Sequence, residues 1–279
     1  MPATTPSAAL QEIVEYRGVE GLVAAEVLTD DDTNGYTTGD VFAIAGVAEI
    51  ARTTDSSNEA HYYDNIPAVV VANTSSDTVT ISASAIPLDV FGYITGQTYD
   101  SALGALIEGP REVRYFAIGY KTKKTNGDEV YVWRYKGTFN IPDQTNTTEN
   151  ESTDANGQEI VYTGISTTHK FTKTGKGSKA LVVDVAKDLA DVSGFFDEVV
   201  TPDDLEAKTS YTLTITQAAG TTVSVTRGGV TLATNATIHE GDQLTISVTG
   251  GTVAVNSAAF ISGNIHVVTG NTTVVSTAG

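Results

Sequence analysis

The sequence predicts a mainly β protein, namely a β-sandwich or barrel flanked by a short helix and followed by a small C-terminal β-sandwich. Three observations predict this class. Many short segments alternate between apolar and polar residues, which is the period of a half-buried strand. Glycines, 26 in 279 residues, and polar turn residues separate these segments. Helical spacing of apolar residues is confined to one clear segment and one ambiguous segment.

The first part of the chain contains several predicted strands in close succession. The first ten residues are mostly Pro, Thr, Ser and Ala, so we expect a flexible arm at about residues 1–11. Residues 21–29 predict a strand, and residues 30–39 predict a turn-rich loop. Residues 41–50 and 61–64 are further strand candidates.

Residues 69–84 predict a β-hairpin. Three valines begin it, and the polar run at residues 73–77 has the composition of a turn. Residues 78–83 then alternate strictly, with Val79 and Ile81 on the same face as Ala83. This alternation is that of a half-buried strand.

Residues 113–139 predict a second hairpin, with Asn126-Gly127 as its tight turn. The returning strand alternates between two kinds of side chain. One face carries Tyr131, Trp133 and Tyr135, and the other carries Val130, Val132 and Arg134. Aromatic side chains arranged in this way form stabilising cross-strand pairs.

Composition and residue spacing predict a loop, two strands, a turn and a helix in the next part of the chain. Residues 142–157 predict a long exposed loop, residues 159–171 and 180–185 predict strands, and residues 175–179 predict a basic turn between them. A short helix is predicted from the spacing of Leu189, Val192, Phe196 and Val199, and residues 86–106 are the ambiguous second candidate.

A change in composition predicts a second domain. Between Thr209 and the C-terminus the charged residues are Arg227, Glu240 and Asp242, and Thr, Val and Gly dominate. Proline and acids at residues 201–204 indicate a linker, so we divide the chain into 1–204 and 205–279. Strands are predicted in the second part at residues 211–216, 222–226, 243–248 and 265–275.

Composition also excludes several function classes. The chain has no cysteine, which excludes disulfides, thiolate zinc sites and thiol nucleophiles. No segment predicts a signal peptide or a membrane-spanning helix. A net charge of −18 argues against sequence-specific binding of nucleic acid. It is compatible with a surface along which DNA slides without binding.

No motif in the sequence is specific enough to predict a catalytic site or a metal site. The four histidines, His61, His169, His239 and His266, are scattered along the sequence. In the run from Asp30 to Gly35, Asp30, Asp32, Asn34 and Gly35 match calcium-loop positions. Position twelve of that loop is Val41 where a bidentate acid is needed, so we favour an acidic turn. Whether the Asp30–Asn34 run binds an ion stays open.

Two basic segments have simple interpretations. Gly175-Lys176-Gly177-Ser178 resembles a phosphate loop only superficially, because Lys170 stands where the first glycine is required. A turn between strands is the simpler reading. Lys121, Lys123 and Lys124 lie at a hairpin tip, where they are solvated or meet an acidic patch on a neighbouring copy.

The order of several short motifs resembles one known family. The motifs are Thr95-Gly96-Gln97-Thr98-Tyr99-Asp100, Gly104, residues 113–120, Asn126-Gly127, residues 131–136, Phe139-Asn140-Ile141-Pro142, residues 148–153, Phe195-Phe196-Asp197-Glu198-Val199 and Thr201-Pro202. Over roughly residues 12–204 this order resembles the major tail protein, or tail tube protein, of long, flexible-tailed phages that infect Gram-positive bacteria.

The resemblance implies a structural protein with a tail-tube-type fold over residues 1–204. Such proteins form hexameric rings that stack into a tube through which the genome is delivered to the host. The arm at residues 1–11 and the loop at residues 142–157 would bridge neighbouring copies. A tape-measure protein and a tail terminator would be partners, and double-stranded DNA would pass without specific binding. The resemblance implies no catalytic, cofactor-binding or metal-binding residue. It implies assembly in the host cytoplasm and a final location in the virion tail.

The C-terminal part resembles a different kind of module. Residues 223–227 and 240–246 resemble the immunoglobulin-like β modules appended to phage tail and Gram-positive surface proteins. We therefore interpret residues 205–279 as a decoration domain. Weak contact with cell-wall carbohydrate is a hypothesis for its role.

Two other function classes stay open on the sequence. A cell-surface or pilus-type adhesive module would share the acidic, β-rich composition, although secretion normally requires a signal peptide. An enzyme acting on polysaccharide would need two acids of separated pKa in one cleft. No such pair is evident in the sequence, so we predict a structural protein and not an enzyme.

Overall fold

A computed structural model describes residues 13–63, 66–142 and 157–279. It confirms the mainly β class. Contacts divide the chain into two units, the first made of Met1–Ala186 with Val192–Leu205 and the second of Lys187–Asp191 with Glu206–Gly279. The identities assigned to residues 1–204 and 205–279 stay predictions. The predicted arm at residues 1–11, and the predicted loop at 142–157 except for its two end residues, lie outside the described residues.

Unit 1 contains eleven strands, one α-helix and one 3₁₀ turn within the described residues. In chain order they are β1 (Tyr16–Asp31), β2 (Gly35–Thr38), β3 (Phe42–Ala43), β4 (Val47–Tyr63), β5 (Ile66–Ala83), α1 (Leu88–Thr95), β6 (Thr98–Asp100), β7 (Ala105–Ile107), β8 (Phe116–Lys124), β9 (Glu129–Phe139), β10 (Gln158–Ile165), β11 (Ala180–Asp184) and the 3₁₀ turn Val185–Lys187, whose last residue belongs to unit 2.

One curled sheet dominates unit 1. Its strand order is β2-β1-β8-β9-β10-β5-β4, with β3 added to β1 and β11 added to β9. The neighbouring strands of this path are all antiparallel. The sheet curls far enough that β1 and β4, near its two ends, approach each other. A small β6–β7 ribbon completes the unit.

The two faces of β9 carry different side chains, as the sequence predicts. Trp133 and Tyr135 are fully buried, and the Trp133 Nε1 donates a hydrogen bond of 2.8 Å to the carbonyl of Phe195. Val130 and Val132 lie on the opposite face, within the main apolar core. The alternation therefore places β9 in the middle of the unit with both faces covered.

The predicted helix from Leu189 to Val199 is wrong. The segment forms successive turns, with Gly194 in the left-handed region at φ +66°. Of the four residues whose spacing predicted the helix, only Val199 is buried, and Leu189 is 61% exposed. Phe195, which lies outside that spacing, is the other buried residue of the segment. The flanking helix is α1, which lies in the ambiguous segment at residues 86–106.

The predicted hairpin at residues 69–84 is also wrong. The polar run at residues 73–77 continues β5 without a turn, because β4 pairs with β5 along nearly its whole length. Of the segments predicted as separate strands, residues 41–50 contain β3 and the first four residues of β4, and residues 61–63 are the last three of β4. Residue 64 lies outside the described residues. Polar residues are tolerated in this strand because the pairing extends beyond the packed core.

Three smaller expectations also differ from the structure. The loop predicted at residues 30–39 contains β2. The strand predicted at residues 159–171 ends at Ile165, and the strand predicted at 265–275 is two strands. In the last two cases turn residues interrupt a predicted strand that composition alone does not divide.

Gly137 is held at a close approach between β9 and β10. A Cβ there would lie 2.4 Å from the Tyr162 ring and 2.5 Å from the Thr163 carbonyl oxygen. Since the backbone cannot move away, we expect Gly137→Ala to lower the free energy of unfolding by about 1–3 kcal/mol in urea denaturation. Gly109→Ala, with open space around it, is the matched control. Equal stability of the two variants would contradict this packing.

Unit 2 contains two sheets around one apolar core. Its strands are β12 (Ser210–Thr216), β13 (Thr222–Arg227), β14 (Val230–Thr231), β15 (Thr237–His239), β16 (Gln243–Thr249), β17 (Gly251–Val255), β18 (Ala258–Phe260), β19 (Ile265–Val267) and β20 (Thr272–Ala278). The sheet orders are β15-β12-β20-β17-β18 and β14-β13-β16-β19. Leu213 and Val274 from one sheet share the core with Val225 and Leu244 from the other. This arrangement agrees with the small C-terminal β-sandwich that the sequence predicts.

Candidate assembly surface

The most unusual surface of unit 1 is the outer part of the β4–β5 hairpin. Strand β5 pairs with β10 only over residues 77–83. Beyond that point residues 55–63 and 66–76, which we name the outer ribbon, pair with each other as far as Tyr63 opposite Ile66. No third strand joins them in the part of the chain that the structure describes. At about 3.3 Å per residue the ribbon reaches roughly 30 Å.

Most of the described side chains of the outer ribbon are exposed, and Ser76, next to the sheet, is half-buried. Residues 55–61 are all exposed, and Ile66 is 65% exposed. Both long edges of the ribbon keep backbone N–H and C=O groups that no described strand pairs. An isolated two-stranded hairpin is marginally stable in water, and unpaired edges are templates for adding another strand. The geometry therefore favours a partner for this ribbon.

A buried cluster of charges lies where the ribbon leaves the sheet. Asp77 is 3% exposed and Arg134 is 5% exposed, and the Arg134 Nη1 donates to the Asp77 Oδ2 at 2.8 Å. The Lys179 Nζ donates to the Asp77 Oδ1 at 3.1 Å and to the Ser75 carbonyl. The Arg52 Nη1 lies 3.8 Å from the Asp77 Oδ2. We call Asp77, Arg52, Arg134 and Lys179 the Asp77 cluster.

The Asp77 cluster holds the ribbon to the body of the sheet. Its members come from β4, β5, β9 and the segment just before β11, which are far apart in sequence. Burial acts to raise the pKa of Asp77. Hydrogen bonds from Lys179 and Thr54, with the charges of Lys179 and Arg134, outweigh burial and lower the pKa below the ordinary 3.8. Asp77 therefore stays ionised at neutral pH.

The lowered pKa of Asp77 predicts a loss of stability in acid. A carboxyl whose folded pKa is depressed contributes stability above its unfolded pKa and loses it as pH falls through the folded value. We expect the stability difference between the wild type and Asp77→Asn to be full above about pH 5 and to shrink below about pH 4. Urea denaturation of both proteins across this range measures it. A difference that does not change with pH would contradict the ionised state of Asp77.

The run that resembles a calcium loop does not gather its acids around one point. Residues 30–35 span the end of β1, the turn at residues 32–34 and the first residue of β2. The Asp30 carboxylate accepts from the Lys136 Nζ at 2.5 Å and from two backbone amides. Asp32 lies apart and pairs with Lys170 at 3.3 Å. The described contacts are those of an acidic turn whose first aspartate links it to β9.

The three lysines at the β8–β9 hairpin find acids within the same chain. The Lys121 Nζ and the Lys123 Nζ lie 3.0 Å and 2.8 Å from the Glu20 Oε1. The Lys124 Nζ lies 2.8 Å from the Asp184 Oδ2. Their described partners are therefore intramolecular carboxylates on neighbouring strands.

The turn in this region is formed by residues 172–175, so of the predicted turn at residues 175–179 only Gly175 lies within it. A backbone hydrogen bond of 3.2 Å joins the amide of Phe171 to the carbonyl of Lys176 across the turn. Asp203 accepts 2.7 Å hydrogen bonds from the amides of Thr172 and Lys173. The backbone donors beside this glycine-rich segment are thus engaged with a carboxylate of the same unit.

One group of metal-ligand side chains is present in unit 2, and the sequence did not suggest it. Asp188, His239 and Asp242 place possible ligand atoms within 4.8 Å of one another. Two cations already pair with the acids: the Lys208 Nζ is 2.5 Å from Asp188, and the Arg227 Nη1 is 2.7 Å from Asp242. Two carboxylates balanced by two cations form a neutral network, which is poorly suited to a further cation.

Comparisons with known proteins assign this chain to no family. No protein-family description matches the chain. No curated protein matches it. A chain of the cryo-EM structure of the anti-feeding prophage (AFP) baseplate, 6-fold symmetrised, is similar at 10% identity, covering 66% of this chain and 99% of that chain with a TM-score of 0.25. At this TM-score the similarity supports no inference about fold or function.

The helices of the described residues are short. Across residues 13–63, 66–142 and 157–279, no helix combines the length and apolar character needed to cross a membrane.

Proposed function

We propose that this protein is a phage virion structural protein whose copies form hexameric rings that stack into a tail tube for genome delivery. The observation that carries the proposal is the outer ribbon, residues 55–63 and 66–76, which pairs with no third described strand. Such a ribbon gains most from pairing or packing with another copy. We infer the six-fold, stacked form of that assembly from the order of motifs, which resembles that of tail tube proteins.

Ring formation follows from the asymmetry of the proposed contact. The ribbon of one copy would meet a different surface on the next copy, which makes the contact heterologous. Heterologous contacts repeat and close into a ring when the rotation between copies allows it. Ring closure would also cover the exposed edge that β4 presents on the main sheet.

The charge of the chain fits a conduit for DNA. A net charge of −18 per copy would make an assembled lumen repel phosphates and let double-stranded DNA pass without specific binding. In this role the protein needs no catalytic residue and no cofactor. The tape-measure protein and the tail terminator are the expected partners, and the protein would assemble in the host cytoplasm and reside in the virion tail.

Native mass spectrometry of the purified full chain at rising concentration tests the stoichiometry. We expect masses of six copies and of multiples of six, because closed rings are the unit of stacking. Masses that correspond to one copy at every concentration, or to closed rings of another number, would contradict the hexamer.

The decoration role proposed for residues 205–279 gives a separate expectation. We expect a variant lacking residues 210–279 to form the same oligomers as the full chain, because the proposed contacts lie in unit 1. We expect weak binding of cell-wall carbohydrate by the full chain, and its loss in the shortened chain. Sedimentation velocity compares the oligomers, and failure of the shortened chain to assemble would contradict decoration.

A further inference from the structure

A cavity of about 840 Å³ opens beside the root of the outer ribbon. Strands β1, β4, β8, β9 and β11 line it, so it occupies the mouth of the curled sheet between its two approaching ends. Its walls combine polar side chains with apolar ones, among them Val19, Ile50, Val130, Val132 and Val182. The mouths of β-barrels are common positions for binding sites.

The charged residues of this cavity favour an anion. Three cations line it, Arg52, Arg134 and Lys179, against two carboxylates, Asp77 and Glu49. The local balance is positive in a chain whose overall charge is −18. Asp77 and Glu49 together balance two of the three cations, so the lining keeps one net positive charge. A third carboxylate entering the cavity would therefore meet uncompensated positive charge.

The three cations differ in how closely they contact Asp77 and in how exposed they are. The buried Arg134 is bound to Asp77 at 2.8 Å, and its Nε also lies 3.4 Å from the Tyr120 hydroxyl. Arg52 is only within 3.8 Å of Asp77, and its side chain is 52% exposed. Lys179 is intermediate, with a side chain 21% exposed. Arg52 and Lys179 are therefore the groups that an incoming anion would reach first.

We propose that this cavity takes a carboxylate-bearing segment of a second copy of the chain. The inference rests on the proposed function, because the second copy is its neighbour in the assembly. Charge complementarity is the first argument: copies that each carry −18 repel, and a contact must place acids against the few positive sites. The second is position, since Arg52 and Asp77 belong to the two strands that continue into the outer ribbon. The cavity thus adjoins the proposed contact between copies.

Cross-linking of mixed isotopes tests the occupant directly. Full-length chains with natural nitrogen and with ¹⁵N are mixed, assembled and treated with a carbodiimide, which joins an amine to a carboxylate in contact. We expect cross-linked peptides that join Lys179 of one isotope to an acidic residue of the other. Cross-links from Lys179 confined to Asp77 or other acids of the same isotope, in assembled protein, would overturn the proposal.

Charge reversal gives an independent test. We expect Arg52→Glu to lower the assembled fraction about tenfold at low salt, because it places an acid where the incoming carboxylate would bind. Lys170→Glu makes the same change of charge at a side chain that is 62% exposed and pairs with Asp32. It should assemble like the wild type. Circular dichroism melting checks that both variants are folded, and equal assembly of both variants would overturn the proposal.

These experiments distinguish failure of the proposed function from failure of the cavity proposal. If the wild type does not assemble, the proposed function itself fails. If the wild type assembles and Lys179 forms no cross-link between copies, only the cavity proposal fails. A mass surplus of a small organic acid on the assembled wild type, lost in Arg52→Glu, would identify a free small acid as the occupant and overturn the assignment to a second copy.

Discussion

A chain in which residues 57–73 are replaced by Asn-Gly is expected to lose assembly while keeping the fold of unit 1. The described residues of this segment pair with each other and with no other described strand, and Ser56 and Thr74, which then flank the new turn, are paired partners. Asn-Gly is the preferred connection for two antiparallel strands. The buried residues of β5, Val79 and Ile81, lie outside the removed segment. The core is therefore unchanged.

Sedimentation velocity and circular dichroism melting measure the two parts of this expectation. The shortened chain should sediment as one copy at concentrations where the wild type forms rings, and its unit 1 should melt within a few degrees of the wild type. The variant lacking residues 210–279 is the control, because it removes more of the chain but leaves the ribbon. Rings formed by the ribbon-deleted chain would show that the ribbon is not the contact.

Asp77→Asn is expected to lower the free energy of unfolding by about 3–5 kcal/mol, because removing one partner of a buried charge group leaves the others uncompensated. Arg134 is the most affected, since it is 5% exposed and its Nη1 donates to Asp77 at 2.8 Å. Arg52 and Lys179 would also lose their shared counter-charge. Urea denaturation, followed on the unit 1 transition, measures the loss.

A double-mutant cycle identifies the cause of that loss. In Asp77→Asn combined with Arg134→Met, the buried unpaired cation is removed as well, so the two effects should be clearly less than additive. Glu49→Gln, at an exposed acid of the same cavity, is the control and should change stability by less than about 0.5 kcal/mol. A similarly small effect of Asp77→Asn would contradict the role of the cluster.

Local alternation was sufficient to predict the strands that form the centre of the fold. In β9 the aromatic side chains at 131, 133 and 135 and the aliphatic ones at 130 and 132 occupy the faces expected of them, because each face packs against a different layer. The tight Asn126-Gly127 turn likewise lies between β8 and β9. Where a residue's neighbours in sequence decide its environment, the pattern is informative.

Pairing between distant segments overrode local composition in the β4–β5 hairpin. Residues 73–77 have turn composition, yet β4 supplies partners for Asn73, Thr74 and Asp77, with a register shift at the two serines between them. Asp77 was interpreted as the end of a turn, whereas it is the buried carboxylate of the charge cluster. No local signal indicates this role, because its partners Arg52, Arg134 and Lys179 are spread over more than a hundred residues.

Two other features show the same limit. The helical spacing from Leu189 to Val199 does not match burial, since Leu189 is exposed, and the segment forms turns with Gly194 at positive φ. The network of Asp188 with His239 and Asp242 joins residues about fifty positions apart, so it is invisible without the fold. Long-range packing and not local propensity decides both.

Negative-stain electron microscopy of the purified, concentrated full chain tests the central claim most directly. We predict hollow tubes, or rings whose averaged end views have six-fold symmetry, since the outer ribbon is expected to pair with a neighbouring copy and close a ring. Dispersed single copies at high concentration, or open filaments without a lumen, would contradict the claim that this protein builds a tail tube.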